Sequence, residues 1–420
     1  MKKNDTLKKF IILGMVLVLL LTTVSCSTVN VSFRNFRKAF FSKEERDTIK
    51  IALFEPLSGV YAQQANPELQ GATVANRLKN EIIGKEVELV LIDSKSDIFE
   101  GEEALNYNLT SDFSAAIGSY GDVLTLLLVK KAEELMIPSL TVSSRNALVT
   151  KNNRFAFTTT YLDDTQGLAL SQVGYYGHHV KHFAVIRIET DDTQTSTIDQ
   201  FRSDILSHKD TICESVNLSI DQTDYMRTIE TLMENNVGAV FLALPESSAK
   251  SFISQAKSLN YYPLYLGTRV WDTPTMIKYL ETAGIDCEVV TEDIKFDASP
   301  AGKLFLAEYK ELYGALAEPG AQALQSFDAY MLLIKAIENA YVGVMSVTKN
   351  EFMEKYDTTL DLEIYGRAYD ETKKSGIPSG VLIKDALLQI TNYQGLSGMI
   401  SYGGTNVASR GITVTHFERG

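Results

Sequence analysis

The chain has 420 residues, more than one compact core accommodates and enough for two lobes with additions. Its 45% hydrophobic and 22% charged content is that of an ordinary soluble globular protein. A net charge of −13, with no basic patch interleaved with aromatics, excludes nucleic acid and an anionic membrane surface as main partners.

The first residues stand apart from the rest. "MKKNDTLKKF" carries Lys2, Lys3, Lys8 and Lys9, and the apolar "FIILGMVLVLLLTTVSC" follows, ending at Cys26. A basic head before a hydrophobic middle is the pattern of a secretory signal, and the apolar stretch is short for a membrane span. Val24-Ser25 before Cys26 resembles the cleavage box of bacterial lipoproteins, with Thr23 where that box usually carries Leu. The resemblance implies removal of residues 1–25, lipid on Cys26, and a tether over residues 26–47.

From Thr48 the pattern becomes regular. "TIKIALFE" and "EVELVLID" are strand-like, and Val74, Leu78 and Ile82, spaced four apart, mark a helix between them. "FSAAIG", an apolar helix from Val123 to Leu135, and "IPSLTV" continue the alternation, which demands a parallel sheet covered on both faces. After "FAFTTTYLDDTQG" it starts over. "FAVIRI", "TICESVNL", "VGAVFLAL", "YPLYLG" and "CEVVT" are strands separated by helices near 198–206, 225–235, 247–259 and 274–280. The expected fold is α/β, with two doubly wound Rossmann-like lobes of parallel strands. Helices over 302–313, 321–340 and 381–390, a charged Tyr-rich stretch over 347–380, and short strands about a Gly-Gly turn complete the chain. Arriving after both sheets, these helices are expected to pack on the first lobe, so that several segments cross between lobes. The lobes are then 48–160 with 297–395, and 161–296 with 396–420. Cys213 and Cys287 fall in different strands of one lobe and are expected to remain thiols.

In order along the chain, "IALFEPLSGVYAQQANPELQGATVA", "ELVLIDSKSD", "AAIGSYGDVLT", "IPSLTVSSRNALV", "FAFTTTYLDDTQG", "FDAYMLLIKAIENA" and "YQGLSGMISYGG" resemble type I periplasmic binding proteins of the branched-chain amino-acid family. The resemblance spans about residues 48–420. It implies two lobes on a multi-strand hinge that close on a small solute and deliver it to an ABC permease of the cytoplasmic membrane. In amino-acid binders of the family, a Ser and a backbone N–H at the third strand end hold the ligand carboxylate. A small residue and a Thr follow at the fourth, and an acid on the second lobe takes the ammonium. These positions fall near Asp122, near Ser143, Ser144 and Arg145, and near Arg269. Both charges are inverted: Asp122 replaces a hydroxyl and Arg269 stands in for the acid, which is repulsive to an α-amino acid in the usual pose. Asp191, Asp192 and Thr193 also stand where the family has an aromatic-Gly pair.

The Gly-Ser-Tyr-Gly turn before Asp122 could present N–H groups to an anion, but it lacks the Gly-Lys-Ser/Thr ending of a phosphate loop. Asp122 suits a helix N-cap as well as a ligand contact, and could serve as both. Arg145 follows two serines at a strand end, as a ligand contact, a cleft ion pair or a solvated side chain. Arg269 with Trp271, the only Trp, could stack a ring, or Trp271 could simply pack. Tyr61, Gln63, Gln64 and Tyr120 face the cleft by resemblance, and Tyr161 and Asp163 lie at the first crossing. "HHVKH" places His178, His179 and His182 close together, but without an acidic or Cys neighbour they are taken as surface histidines before a strand, and no metal is expected.

No catalytic motif occurs, so no enzyme activity and no cofactor are expected. The leading reading is a monomeric, lipid-anchored receptor of an ABC importer on the outer face of the membrane. Its ligand would be small and polar, amino-acid-like or acidic. The alternative is an envelope regulator or scaffold that uses the same fold without a transported solute.

Overall fold

A computed structural model describes residues 48–189, 194–292, 294 and 296–419. The leader, Cys26, the tether and Asp191 to Thr193 lie outside the described residues.

The first sheet is built from β1 (Ile49–Glu55), β2 (Glu81–Ile82), β3 (Lys85–Asp93), β4 (Ala115–Gly118), β5 (Ser139–Thr141) and β6 (Ala156–Thr158). Helices α1 (Ala62–Leu78), α2 (Ile98–Asn108) and α3 (Asp122–Glu134) connect them. The order β2-β3-β1-β4-β5-β6 puts β1 at the centre, with Ile51 opposite both Leu89 and Ala115 in parallel register. A central strand covered on both faces must be largely apolar, and Ile49, Ile51, Ala52, Leu53 and Phe54 are all buried, leaving Glu55 as a buried charge at its end.

The second lobe repeats the plan with α4 (Asp163–Gln172), β7 (His182–Ile188), α5 (Thr195–Ser207), β8 (Ile212–Leu218), α6 (Met226–Glu234) and β9 (Ala239–Ala243). It continues through α7 (Glu246–Ser258), β10 (Leu264–Gly267), α8 (Pro274–Ala283) and β11 (Cys287–Thr291). Then follow α9 (Pro300–Tyr313), α10 (Ala321–Met345), α11 (Lys349–Met353), α12 (Thr359–Ser375) and α13 (Gly380–Leu388). The hairpin β12 (Tyr393–Gly395) and β13 (Gly398–Ile400) precedes the final strand β14 (Thr413–Phe417). The second sheet runs β14-β11-β10-β9-β7-β8, parallel except for β14, which is antiparallel to β11. Cys213 on β8 and Cys287 on β11 are both free thiols, and burial pushes Cys213 up to about 11.

The late helices pack on the first lobe: Leu332, Ile337, Ile383 and Leu387 share a core with Ile51 and Leu53. Leu396, Ile400, Tyr402 and Ala408 belong to that same core, and Ile412 and Val414 to the second lobe, so the last crossing falls after Ala408. Two local expectations change. The first helix stops at Leu78, and Ile82 instead buries its side chain from β2. The charged 347–380 stretch forms α11 and α12, begun by a Thr348–Glu351 capping box and joined by the stacked rings of Tyr356 and Tyr365.

Asp328 of α10 holds the β12–β13 turn within the first lobe, and Arg410 links that turn to the last crossing. Asp328 is fully buried and accepts the backbone N–H groups of Leu396 and Ser397, each at 2.7 Å, together with the Ser397 hydroxyl. Arg410 donates to the carbonyls of Thr159 and Ser397, and so joins the segment after β6 to the segment before β14.

Candidate functional site

In doubly wound sheets ligands bind beyond the carboxyl ends of the parallel strands, and the side chains gathered there come from both lobes. Glu55 ends β1. It is fully buried, and its Oε2 accepts the Tyr120 backbone N–H at 2.8 Å. Gly118 allows this approach, because a Cβ there would collide with the Phe54 carbonyl. Glu68 of α1 lies beside Glu55, also fully buried. Burial raises Glu55 well above the usual carboxylate range and Glu68 up to about 7.

Asp122 is not the N-cap. Gly121 takes that position, and Asp122 opens the first turn of α3, where its carboxylate accepts from the Ser144 hydroxyl at 2.6 Å and Asn146 Nδ2 at 3.0 Å. It therefore clamps the loop after β5 to the positive end of α3. Ser143 is half-buried, with its side chain beside Glu68 instead. At the rim, the rings of Tyr61 and Tyr120 lie 6.3 Å apart, and Gln63 and Gln64 are exposed on the first turn of α1.

Arg145 is 3% exposed as a side chain and pairs through Nη2 with Glu292, which follows β11. Its guanidinium lies 4.2 Å from the ring centre of the buried Tyr161. The solvated alternative is thereby removed. Its Nε and Nη1 are buried with no acceptor. Gln325 Nε2 reaches the other Glu292 oxygen at 3.2 Å, and the Asp163 backbone N–H donates to the Arg145 carbonyl. Asp163 in turn accepts from Gln166 and faces Arg269 Nε at 3.7 Å, while burial raises its pKa and Arg269 opposes the rise.

Trp271 does not line the cleft. It is fully buried in the second lobe's core and donates Nε1–H to the Leu244 carbonyl at 3.0 Å. The bare Cα of Gly267 makes room, since a Cβ there would enter the indole ring. Arg269, starting the same short turn (Arg269–Trp271), remains partly exposed. So the structure gathers Tyr61 with Tyr120, Asp122 with Ser144, and Arg145 with Tyr161. Arg269 joins through Asp163, and Trp271 is left out.

The periplasmic binding protein family model matches residues 48–415. The chain belongs to this family. Among solved structures it is similar to a leucine binding protein of Thermotoga maritima, with 23% identity, 88% of this chain and 96% of that one covered, and a TM-score of 0.61. It is also similar to a branched-chain amino acid transporter substrate binding protein of Streptococcus pneumoniae in complex with isoleucine, with 20% identity, 88% and 95% covered, and a TM-score of 0.59. A solute binding protein of an ABC transporter from R. palustris, in complex with benzoate, has 13% identity, 88% and 93% covered, and a TM-score of 0.59. No curated protein matches in sequence at a significant level.

The fold is that of the solute-binding receptors of ABC transporters, and the family is extracytoplasmic. No described helix is long and apolar enough to cross a membrane. In this periplasmic binding protein the Tyr120 N–H and the Ser144 hydroxyl already serve the chain's own carboxylates. Glu55, Glu68 and Glu292 were missed in the sequence, although Glu55 and Glu292 are charges at the ends of apolar strands. That was the signal that could have found them.

Proposed function

We propose that the protein is a monomeric, lipid-anchored receptor of an ABC importer that closes its lobes on a small polar solute, amino-acid-like or acidic. The observation that carries this reading is Arg145, whose Nε and Nη1 are buried among the interlobe crossings without an acceptor. A buried donor left without a partner costs roughly 1–3 kcal/mol, which a ligand carboxylate would recover. Arg269, partly exposed, supplies a second cation on the facing lobe. Asp122, Ser144 and the Tyr61–Tyr120 pair then face the other end of the solute, where a cationic or hydroxyl donor is favoured. An amino-acid-like ligand would thus lie reversed relative to the usual pose of the family.

A thermal-shift panel of amino acids, dicarboxylates, short peptides and ureas on ligand-free protein tests this, since binding raises the midpoint by mass action. The expected hits carry a carboxylate, and Arg269→Ala weakens them. A panel without any shift would overturn the receptor reading and favour the regulator or scaffold. For the anchor, labelling of growing cells with a fatty-acid analogue should mark the wild type and not Cys26→Ser; equal labelling would remove Cys26 as the lipid site.

A further inference from the structure

We infer that the second lobe carries a divalent transition-metal site, of the kind that takes Zn²⁺, formed by His178, Glu288 and His416. The three residues come from separate elements. His178 follows the π-turn (Val173–Gly177) after α4, and its backbone N–H is fixed on the Val173 carbonyl at 3.1 Å. Glu288 lies on β11 and His416 on β14, directly opposite one another in antiparallel register, so their side chains emerge on one face. His178 Nε2 lies 2.7 Å and His416 Nδ1 2.9 Å from the same oxygen, Glu288 Oε1. The three ligand atoms fall within 4.8 Å of one another, and the imidazole centroids are 5.6 Å apart.

Two imidazoles and one carboxylate make a donor set for Zn²⁺, whose Zn–N and Zn–O bonds of roughly 2.0–2.2 Å place neighbouring ligand atoms about 3.3 Å apart in a tetrahedron. The observed spacings reach that arrangement by small side-chain rotations. Glu288 is buried, which fixes the carboxylate. The His178 and His416 side chains are 29% and 43% exposed, which leaves a path for the ion and room for water as fourth ligand. Glu288 lies four residues before Glu292 on the same segment, roughly 13 Å along an extended chain, so the site is separate from the interlobe residues. A metal there would staple the final strand and the turn before β7 onto β11. The HHVKH cluster contributes only His178. His182 pairs instead with Glu214 at 2.7 Å, and the remaining ligands lie more than a hundred residues away in sequence.

The test is equilibrium dialysis of ZnCl₂ against the untagged chain, with Co²⁺ absorption as a second readout. Wild type should bind one equivalent of Zn²⁺ and show the visible bands of a Co²⁺ ion held by nitrogen and oxygen ligands. His416→Ala and His178→Ala should each weaken binding by at least about tenfold, a magnitude already seen for outer-shell changes at metal sites. Circular dichroism of each variant without metal verifies that the fold is kept. A wild type that binds no Zn²⁺, or that binds it as tightly as folded His416→Ala and His178→Ala, overturns the inference.

Discussion

Glu55 Oε2 holds the Tyr120 backbone N–H at 2.8 Å, so a strand-end amide that could serve an anionic ligand is occupied by the protein itself. The Glu55 carboxylate lies beside Glu68 in a site from which water is excluded, and burial raises both pKa values. Glu68 rises from about 4.5 to about 7, so between those pH values the folded protein keeps a proton that the unfolded chain has released. Unfolding free energy therefore falls as pH rises through this window. The contribution is complete below about 4.5 and is lost above about 7. Glu68→Gln stays neutral and should flatten that part of the stability curve, as thermal midpoints across the window would reveal. A difference between wild type and variant that does not change with pH would contradict the assignment.

Buried Arg145 and partly buried Glu292 form an ion pair between an end of the first sheet and the crossing after β11. Removing one partner strands the other charge, at a cost of about 3–5 kcal/mol, whereas neutralising both costs less. Arg145→Met and Glu292→Gln should each lower urea-unfolding stability by about 3 kcal/mol, and the double variant should recover part of the loss. Strict additivity would show that the two charges are not coupled.

Trp271 is the only tryptophan, fully buried over Gly267. Its fluorescence should be blue-shifted and resist acrylamide quenching. Trp271→Ala should cost about 3–5 kcal/mol of stability through the cavity it leaves. Trp271→Phe should leave the affinity for any solute found in the panel unchanged. Loss of affinity in folded Trp271→Phe would return this residue to the ligand site.

The two sheets were legible because a strand covered on both faces must be an apolar run, as Ile51 to Phe54 of β1 and the whole of β9 are, and because the helices between them keep a helical spacing. The site was legible only in part. Strand-end positions such as Asp122, Ser144 and Arg145 follow from the order of the elements, but their partners come from distant segments. Asn146 competes for Asp122, and Glu292, reached only after the whole second lobe, takes Arg145. For Trp271 the deciding feature was Gly267, four residues earlier, whose missing side chain admits the ring to the core. The same limit hid the His178–Glu288–His416 cluster, since cross-strand register rather than local spacing assembles it.

Asp328 anchors the β12–β13 turn that Arg410 links to the last crossing. Its carboxylate accepts two backbone N–H groups and one hydroxyl from Leu396 and Ser397, and no water reaches it to replace them. Asp328→Ala leaves those amides without acceptors, and at roughly 1–3 kcal/mol for each buried donor the loss should reach about 3 kcal/mol. Asp328→Asn keeps the shape and one acceptor oxygen, and should lose less. Burial pushes Asp328 up from 3.8 to about 6, so its titration favours folding below 3.8 and this contribution fades as pH rises through 6. Hydrogen exchange separates a local clamp on this turn from a general stability effect. In Asp328→Asn the amides of Leu396 and Ser397 should exchange faster while those of the central strand β1 stay protected. Equal acceleration in β1 would mean that Asp328 supports the first lobe as a whole and not the β12–β13 turn in particular.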